Sequence, residues 1–375
     1  KRLGYAPAVA GGIEAAASTG GAIMPPVMGA AAFVMSEITN IPYGDIIVTA
    51  AIGAVLYFFA IFVSVHFEAK RLGLAAMEPD TIPPWRVVGG DSHLILPIAV
   101  LVWLLVERWS GNFAAFAATV LMMVCAALRS HTRMGPRAII DAFGTAARTM
   151  AVLAAAVAGA GIITSALTVT GLVVAFGGIV KGLAGGSLAL LCLLLMLTAL
   201  ILGMGVPTTP AYIITAALGS PVLQEYGVDL LAAHLFMFYF AVLADATPPV
   251  AVASYAAAAI AEIRWTRAVS DTMRLGWVAF TIPFMFIYSP QLLMEGAPHE
   301  ILAVLLVKAV GVVGLAAATT NYFATGLTLV QRGLFFISAI LLIAPTWEIN
   351  IAGLLVAAAA ATSNVRTHRL QLMRP

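Results

Sequence analysis

An all-α, polytopic membrane fold follows from three features of the chain. Of its 375 residues, 62% are hydrophobic and only 10% are charged, whereas soluble domains carry roughly 25% charged residues. The mean hydropathy of +1.03 points to a lipid bilayer as solvent. Apolar runs that cross, or nearly cross, a hydrocarbon core of about 30 Å recur from end to end. These runs are rich in Ala and Leu and lack the alternation of barrel strands. A net charge of +2 gives no footing for nucleic acid. Cys125 and Cys192 lie inside apolar runs and read as buried packing thiols, not as a disulfide framework or metal ligands.

The chain opens on Lys1-Arg2-Leu3-Gly4-Tyr5, with no charged, apolar and cleavage regions in signal-peptide order. It therefore reads as starting inside a larger membrane protein. Pro42 to Val65 forms the first full span, followed by shorter runs at Leu94 to Val106 and Phe113 to Leu128. Ile139 to Ile163 leads through a Gly- and Thr-rich stretch into Leu188 to Gly203. Leu230 to Ala244 and Val250 to Ile263 flank a break, and Trp277 to Tyr288, Ile301 to Ala318, Leu334 to Pro345 and Ile349 to Thr362 close the chain. The stretch from Ala318 to Arg332 reads either as an amphipathic segment along the interface or as a plain loop.

Loop charges set the expected orientation. Arg129, Arg133 and Arg137 fall in one loop, Arg264, Arg267 and Arg274 in another, and Arg366, Arg369 and Arg374 in the tail. The positive-inside rule places all three on the cytoplasmic side. Ser289 to Glu300 has neither Lys nor Arg and belongs on the opposite side.

Three segments spoil otherwise apolar sequence with Gly, Pro and small hydroxyl residues. The first joins Ser18-Thr19-Gly20-Gly21 to Pro25-Pro26, the second runs from Gly203 to Leu223 with Thr208 and Thr209, and the third spans Phe240 to Ala257 with Thr247, Pro248 and Pro249. Each freed amide or carbonyl costs several kcal/mol in lipid unless it is buried in protein or lines a wet cavity. Bare carbonyls and hydroxyls suit a hard cation such as Na⁺, and the positive ends of half-helices suit an anionic substrate. Pro-Pro-Val occurs at Pro25 and again at Pro248, an offset of 223 residues (248 − 25). Matching interruptions in two halves of one chain are the mark of a repeat-built transporter with its site at the repeat interface.

The stretches "EAAASTGGAIMPPVMGAAAF", "LGMGVPTTPAYI" and "LADATPPVAVASYAAA" resemble the large membrane subunit of tripartite ATP-independent periplasmic (TRAP) transporters, and within these the TAXI type, whose small and large subunits are often fused. The resemblance runs from residue 1 to about Ala261, with a C-terminal extension beyond. It implies an inverted-repeat, elevator-type secondary transporter with re-entrant hairpins and unwound helices in a bacterial or archaeal inner membrane. It implies partners too: a periplasmic binding protein that delivers an organic anion such as a carboxylate, and a small membrane subunit, separate or fused upstream. Carried onto this chain, one Na⁺ site would draw on Ser18, Thr19 and Gly20 beside Pro25 and Pro26. Its counterpart would draw on Gly203, Thr208 and Thr209 near Thr247, Pro248 and Pro249. The expected division is residues 1–38 as the second half of the first hairpin with an unwound helix, 39–138 as scaffold and connections, 139–263 as the second repeat, and 264–375 as extension helices. The first half of the first hairpin would precede residue 1.

Two carboxylates stand close to the breaks, Glu14 and Asp245. Charged groups at membrane depth are costly and mark functional sites. Asp245 is expected to ligate a cation, relay a proton or cap amides of its break, so H⁺ coupling stands beside Na⁺. His234 reads as a packing histidine, and Lys181 and Arg148 as interfacial residues whose stems lie along apolar surface. No Arg lies close to a break to hold a carboxylate. A membrane hydrolase is disfavoured because the six histidines are scattered and form no metal motif. A channel is disfavoured because paired breaks suit alternating access.

Overall fold

The computed structural model describes residues 4–75, 84–90 and 92–373, so Lys1, Arg2 and Leu3 and the tail's Arg374 lie outside it. Among the described residues the chain is built of α-helices with short 3-10 turns, and Tyr322 and Gly326 form an isolated bridge. Among the described residues, four helices are long and apolar enough to cross a membrane: α3 (Tyr43–Leu72), α7 (Pro136–Val169), α15 (Pro298–Thr320) and α17 (Trp347–Leu372). Before α3 come α1 (Pro7–Gly20) and α2 (Gly29–Thr39); between α3 and α7 lie α4 (Trp85–Gly90), α5 (Leu96–Val106) and α6 (Gly111–Ala127). Next come α8 (Leu172–Ala184), α9 (Leu188–Gly203), α10 (Thr208–Glu225), α11 (Leu230–Leu243), α12 (Val252–Ala261), α13 (Trp265–Gly276) and α14 (Ile282–Tyr288). The remaining helix is α16 (Leu329–Ile343).

Local chemistry sets the boundaries. Proline occupies the first turn of α1, α7 and α15, where its missing N–H costs nothing. The Asp229 carboxylate accepts from the Leu231 amide at 2.8 Å to start α11. Gly73, left-handed at φ +64°, closes α3. Every residue of α11 from Leu231 to Leu243 is buried, with Phe236 and Phe240 meeting Phe284 edge-on. At the other extreme, Ala160 is the one buried residue of α7.

The two ends of α3 fix which loops share a side. At its N-terminus Asp45 pairs with Arg108 after α5, at 3.1 Å. At its C-terminal end Phe67 packs on Phe323 after α15, and Glu68 binds Arg274 of α13 at 2.8 Å. Asn364 of α17 reaches the same end through the Ala324 amide at 3.0 Å. Since α6 runs antiparallel to α5, the Arg129–Arg137 loop also lies there. The three Arg-bearing segments thus lie at one end of the bundle and the Arg-free 289–300 stretch at the other.

Glu68 is the node of that end. Its carboxylate is fully buried and takes forked bonds from Arg274 (2.8 and 3.0 Å) and from Arg71 (2.7 and 3.0 Å). Asp271 holds Arg274 from the other side at 3.0 Å. Close by, α1 crosses α13 so tightly that a Cβ on Gly12 would lie 2.8 Å from the Asp271 backbone.

Three stretches take definite form in the structure. The Gly- and Thr-rich stretch after Ile163 continues α7 to Val169, since residues 164–169 hold neither Gly nor Pro to stop it, and after left-handed Gly171 it forms α8. The 318–332 segment is a loop between α15 and α16, where Arg332 donates to the Ala318 carbonyl at 2.8 Å. Within 1–38, Gly4 lies by Leu74 at one end of α3 while α2 leads into Tyr43 at the other. Over its described residues this segment is one crossing interrupted once, with no turn back on itself.

Candidate functional site

All three breaks meet. Residues 21–28 separate α1 from α2, residues 244–251 separate α11 from α12, and Met204 to Pro207 form the tip of the α9–α10 hairpin. The first and third adopt one local conformation. The Met28 amide bonds the Met24 carbonyl at 3.2 Å, and the Ala251 amide bonds the Thr247 carbonyl at 3.0 Å. Met28 (φ 51°) and Ala251 (φ 45°) are both left-handed, and both Pro-Pro bonds are cis. The offset is again 223 (251 − 28), and the following helices, from Gly29 and Val252, start at the same spacing (252 − 29).

Tyrosines anchor carbonyls within the first break and in the last turns of α1 before it. The Tyr43 hydroxyl donates to the carbonyls of Pro26 (2.7 Å) and Val27 (2.8 Å), and Tyr57 donates to Ala16 at 2.8 Å. Gly20 is required beside Tyr57, since a Cβ there would stand 2.4 Å from the ring. The hairpin tip approaches the other break just as closely: a Cβ on Gly203 would lie 2.7 Å from the Ala244 Cβ.

Between the three breaks lies a cavity of about 420 Å³, lined among others by Ser18, Thr19, Gly205, Thr208, Asp245 and Ala253. The Asp245 carboxylate accepts from the Thr208 hydroxyl at 3.1 Å. The Ser18 hydroxyl donates to the Glu14 carbonyl and that of Thr19 to Ala15, both at 2.7 Å. Because their protons are directed back into α1, these oxygens turn lone pairs outward. One carboxylate with hydroxyl oxygens is a donor set for a hard cation and a poor one for a thiophilic metal.

Of the residues singled out in the sequence, Ser18, Thr19, Thr208 and Asp245 come together here. Gly20 and Gly203 serve close packing. Thr209 is buried but does not line the cavity, and Thr247 returns its proton to Leu243 at 2.6 Å. Pro25, Pro26, Pro248 and Pro249 shape the breaks without lining the cavity, and Glu14 is exposed outside it. His234 is buried and bonds the Tyr212 hydroxyl at 2.8 Å, as a packing histidine does. Lys181 pairs with Glu225. Sequence reasoning passed over Tyr43 and Tyr57, although a tyrosine in an apolar helix needs a partner for its hydroxyl.

Gly203→Ala should destabilise the protein by about 1–3 kcal/mol through overpacking. Adding Ala244→Gly removes the opposing methyl and should recover most of that loss. Thermal unfolding of both variants checks this; an unaffected single variant, or a double variant no better, would refute the close approach.

No curated protein matches this chain. A family model described as "Tripartite ATP-independent periplasmic transporter, DctM component" matches residues 1–301.

Proposed function

Because the chain belongs to the tripartite ATP-independent periplasmic transporter family, as its DctM (large membrane) component, we propose that its cavity couples cation entry to import of an organic anion. The family membership itself makes the chain a multi-pass permease component of a secondary transporter. Such a component works with a periplasmic binding protein and a small membrane subunit.

The observation that carries the proposal is the convergence of three helix breaks on Asp245 and Thr208 in one cavity. Sodium is the proposed coupling ion, with Ser18, Thr19, Thr208 and Asp245 as its oxygen donors. Proton coupling is the second reading, favoured by Asp245 being the one carboxylate on the cavity wall. The matching conformation of the two Pro-Pro breaks supports an inverted repeat. An elevator, in which the α9–α10 hairpin and the broken helices move as a unit, fits that arrangement. A carboxylate delivered by the binding protein is the proposed cargo, and the inner membrane of a bacterium or archaeon the proposed location. The TAXI type, with a fused small subunit, remains the proposed subclass.

Uptake titrated against Na⁺ and separately against pH tests the site. Thr208→Ala should raise the Na⁺ needed for half-maximal uptake about 5-fold, as expected for one neutral hydrogen-bonding ligand near 1 kcal/mol. Thr209→Ala, outside the lining, should change it less. Unchanged half-saturation for both ions in Thr208→Ala would refute the assignment.

A further inference from the structure

Lys308 is buried in the middle of α15, at 1% exposure. Its ammonium donates to the Ala344 carbonyl at 3.0 Å and approaches the Asn350 side-chain oxygen at 3.5 Å. Both acceptors are neutral, and no ion pair to Lys308 is found among the described residues. A buried charge of this kind is costly unless something compensates it. An ammonium also has three donors, one more than the acceptors found here.

Lys308 faces a small cavity of about 40 Å³ that Ser289, Gln291, Trp347 and Asn350 also line. Ser289 is only 5% exposed, and neither its hydroxyl nor the Gln291 amide makes a hydrogen bond among the described residues. The cavity wall therefore offers an ammonium, a hydroxyl and an amide NH₂, with no carboxylate. One water needs roughly 10–15 Å³ of such space, so the cavity has room for a guest the size of about three waters.

We propose that this cavity is a binding site for a small inorganic anion of the halide class, held by Lys308 with Ser289 and Gln291. The anion supplies the missing counter-charge. It also ties the 289–291 turn, within the stretch matched to the family, to α15 and α17 of the C-terminal extension. Lys308 and Asn350 both lie beyond that matched stretch. The cavity shares no lining residue with the proposed coupling cavity.

The test uses the full chain in detergent at fixed sodium and ionic strength, with gluconate replaced stepwise by chloride or bromide. Chloride should raise the thermal unfolding midpoint with a saturating dependence, and bromide should substitute for it. Lys308→Met should lose at least 10-fold in apparent halide affinity, or all response, while Lys308→Arg keeps part of it. If Lys308→Met does not fold, Ser289→Ala and Gln291→Leu should each weaken the halide response several-fold. Broadening of the ³⁵Cl NMR line by the unmodified protein, reversed by bromide, reads binding without any variant. Equal midpoints in gluconate and chloride with no line broadening, as for a cavity that holds only water, would overturn the proposal. So would a halide response unchanged in Ser289→Ala, Gln291→Leu and a folded Lys308→Met.

Discussion

Asp245→Asn should raise the cation concentration for half-maximal uptake by about 10- to 150-fold, the equivalent of one charge-assisted interaction of 1.5–3 kcal/mol. The asparagine oxygen still accepts from Thr208, which sits 3.1 Å from the Asp245 carboxylate, so the hairpin tip keeps its contact. What disappears is the negative charge on the cavity wall. Asp245→Glu keeps the charge and should fall between the two. A proton-coupled transporter gives a different pattern: Asp245→Asn then flattens the pH dependence of uptake and leaves any Na⁺ dependence in place. Uptake by the complete transporter, titrated against Na⁺ and against pH, separates these outcomes. A variant whose dependence on both ions matches the parent's would remove Asp245 from the coupling site.

The largest stability effect should come from Glu68→Gln, at about 3 kcal/mol. Breaking a buried ion pair costs about 3–5 kcal/mol, and the low end applies because the Arg71 and Arg274 side chains are 41% and 26% exposed. Removing the carboxylate leaves two guanidinium groups around a neutral amide. Arg274→Gln should cost less, since Glu68 then keeps the fork from Arg71, at 2.7 Å. Thermal unfolding in detergent gives the order. A smaller loss for Glu68→Gln than for Arg274→Gln would show that the node is not centred on the buried carboxylate.

The breaks were legible in the sequence because Gly, Pro and hydroxyl residues cluster nowhere else so densely within apolar runs. Asp245 was legible because a carboxylate at membrane depth stands out. Four of the residues chosen on those grounds meet in one cavity. Which hydroxyls face it was not legible. Thr208 and Thr209 are equivalent as letters, and only the pitch of α10 puts one on the wall and the other in the packing. The Glu68–Arg274 pair was hidden as well, because its partners are 206 residues apart and each sits in a stretch with other charges. The tyrosine caps depend on the crossing of α1 and α3, which no local pattern encodes. Most helix starts were read within a few residues, as at α3, α9 and α11. The C-terminal ends of α3, α7 and α17 were read short, because the apolar run stops before the helix does.

The exposure of α7 makes its tilt a property of its surroundings. At 1.5 Å per residue its 34 residues reach about 51 Å, well beyond the hydrocarbon thickness of about 30 Å. Within the protein its buried anchor is Ala160, which packs with Ile214 and Leu218 of α10. Acyl chains or neighbouring helices that cover the rest of α7 must accommodate the excess length, and a thinner bilayer does so by leaning the helix over. The helix that Ala160 touches, α10, is one arm of the hairpin whose tip meets Asp245. The contacts of α7 with α10 are thus where a change in bilayer thickness would first be felt by the hairpin.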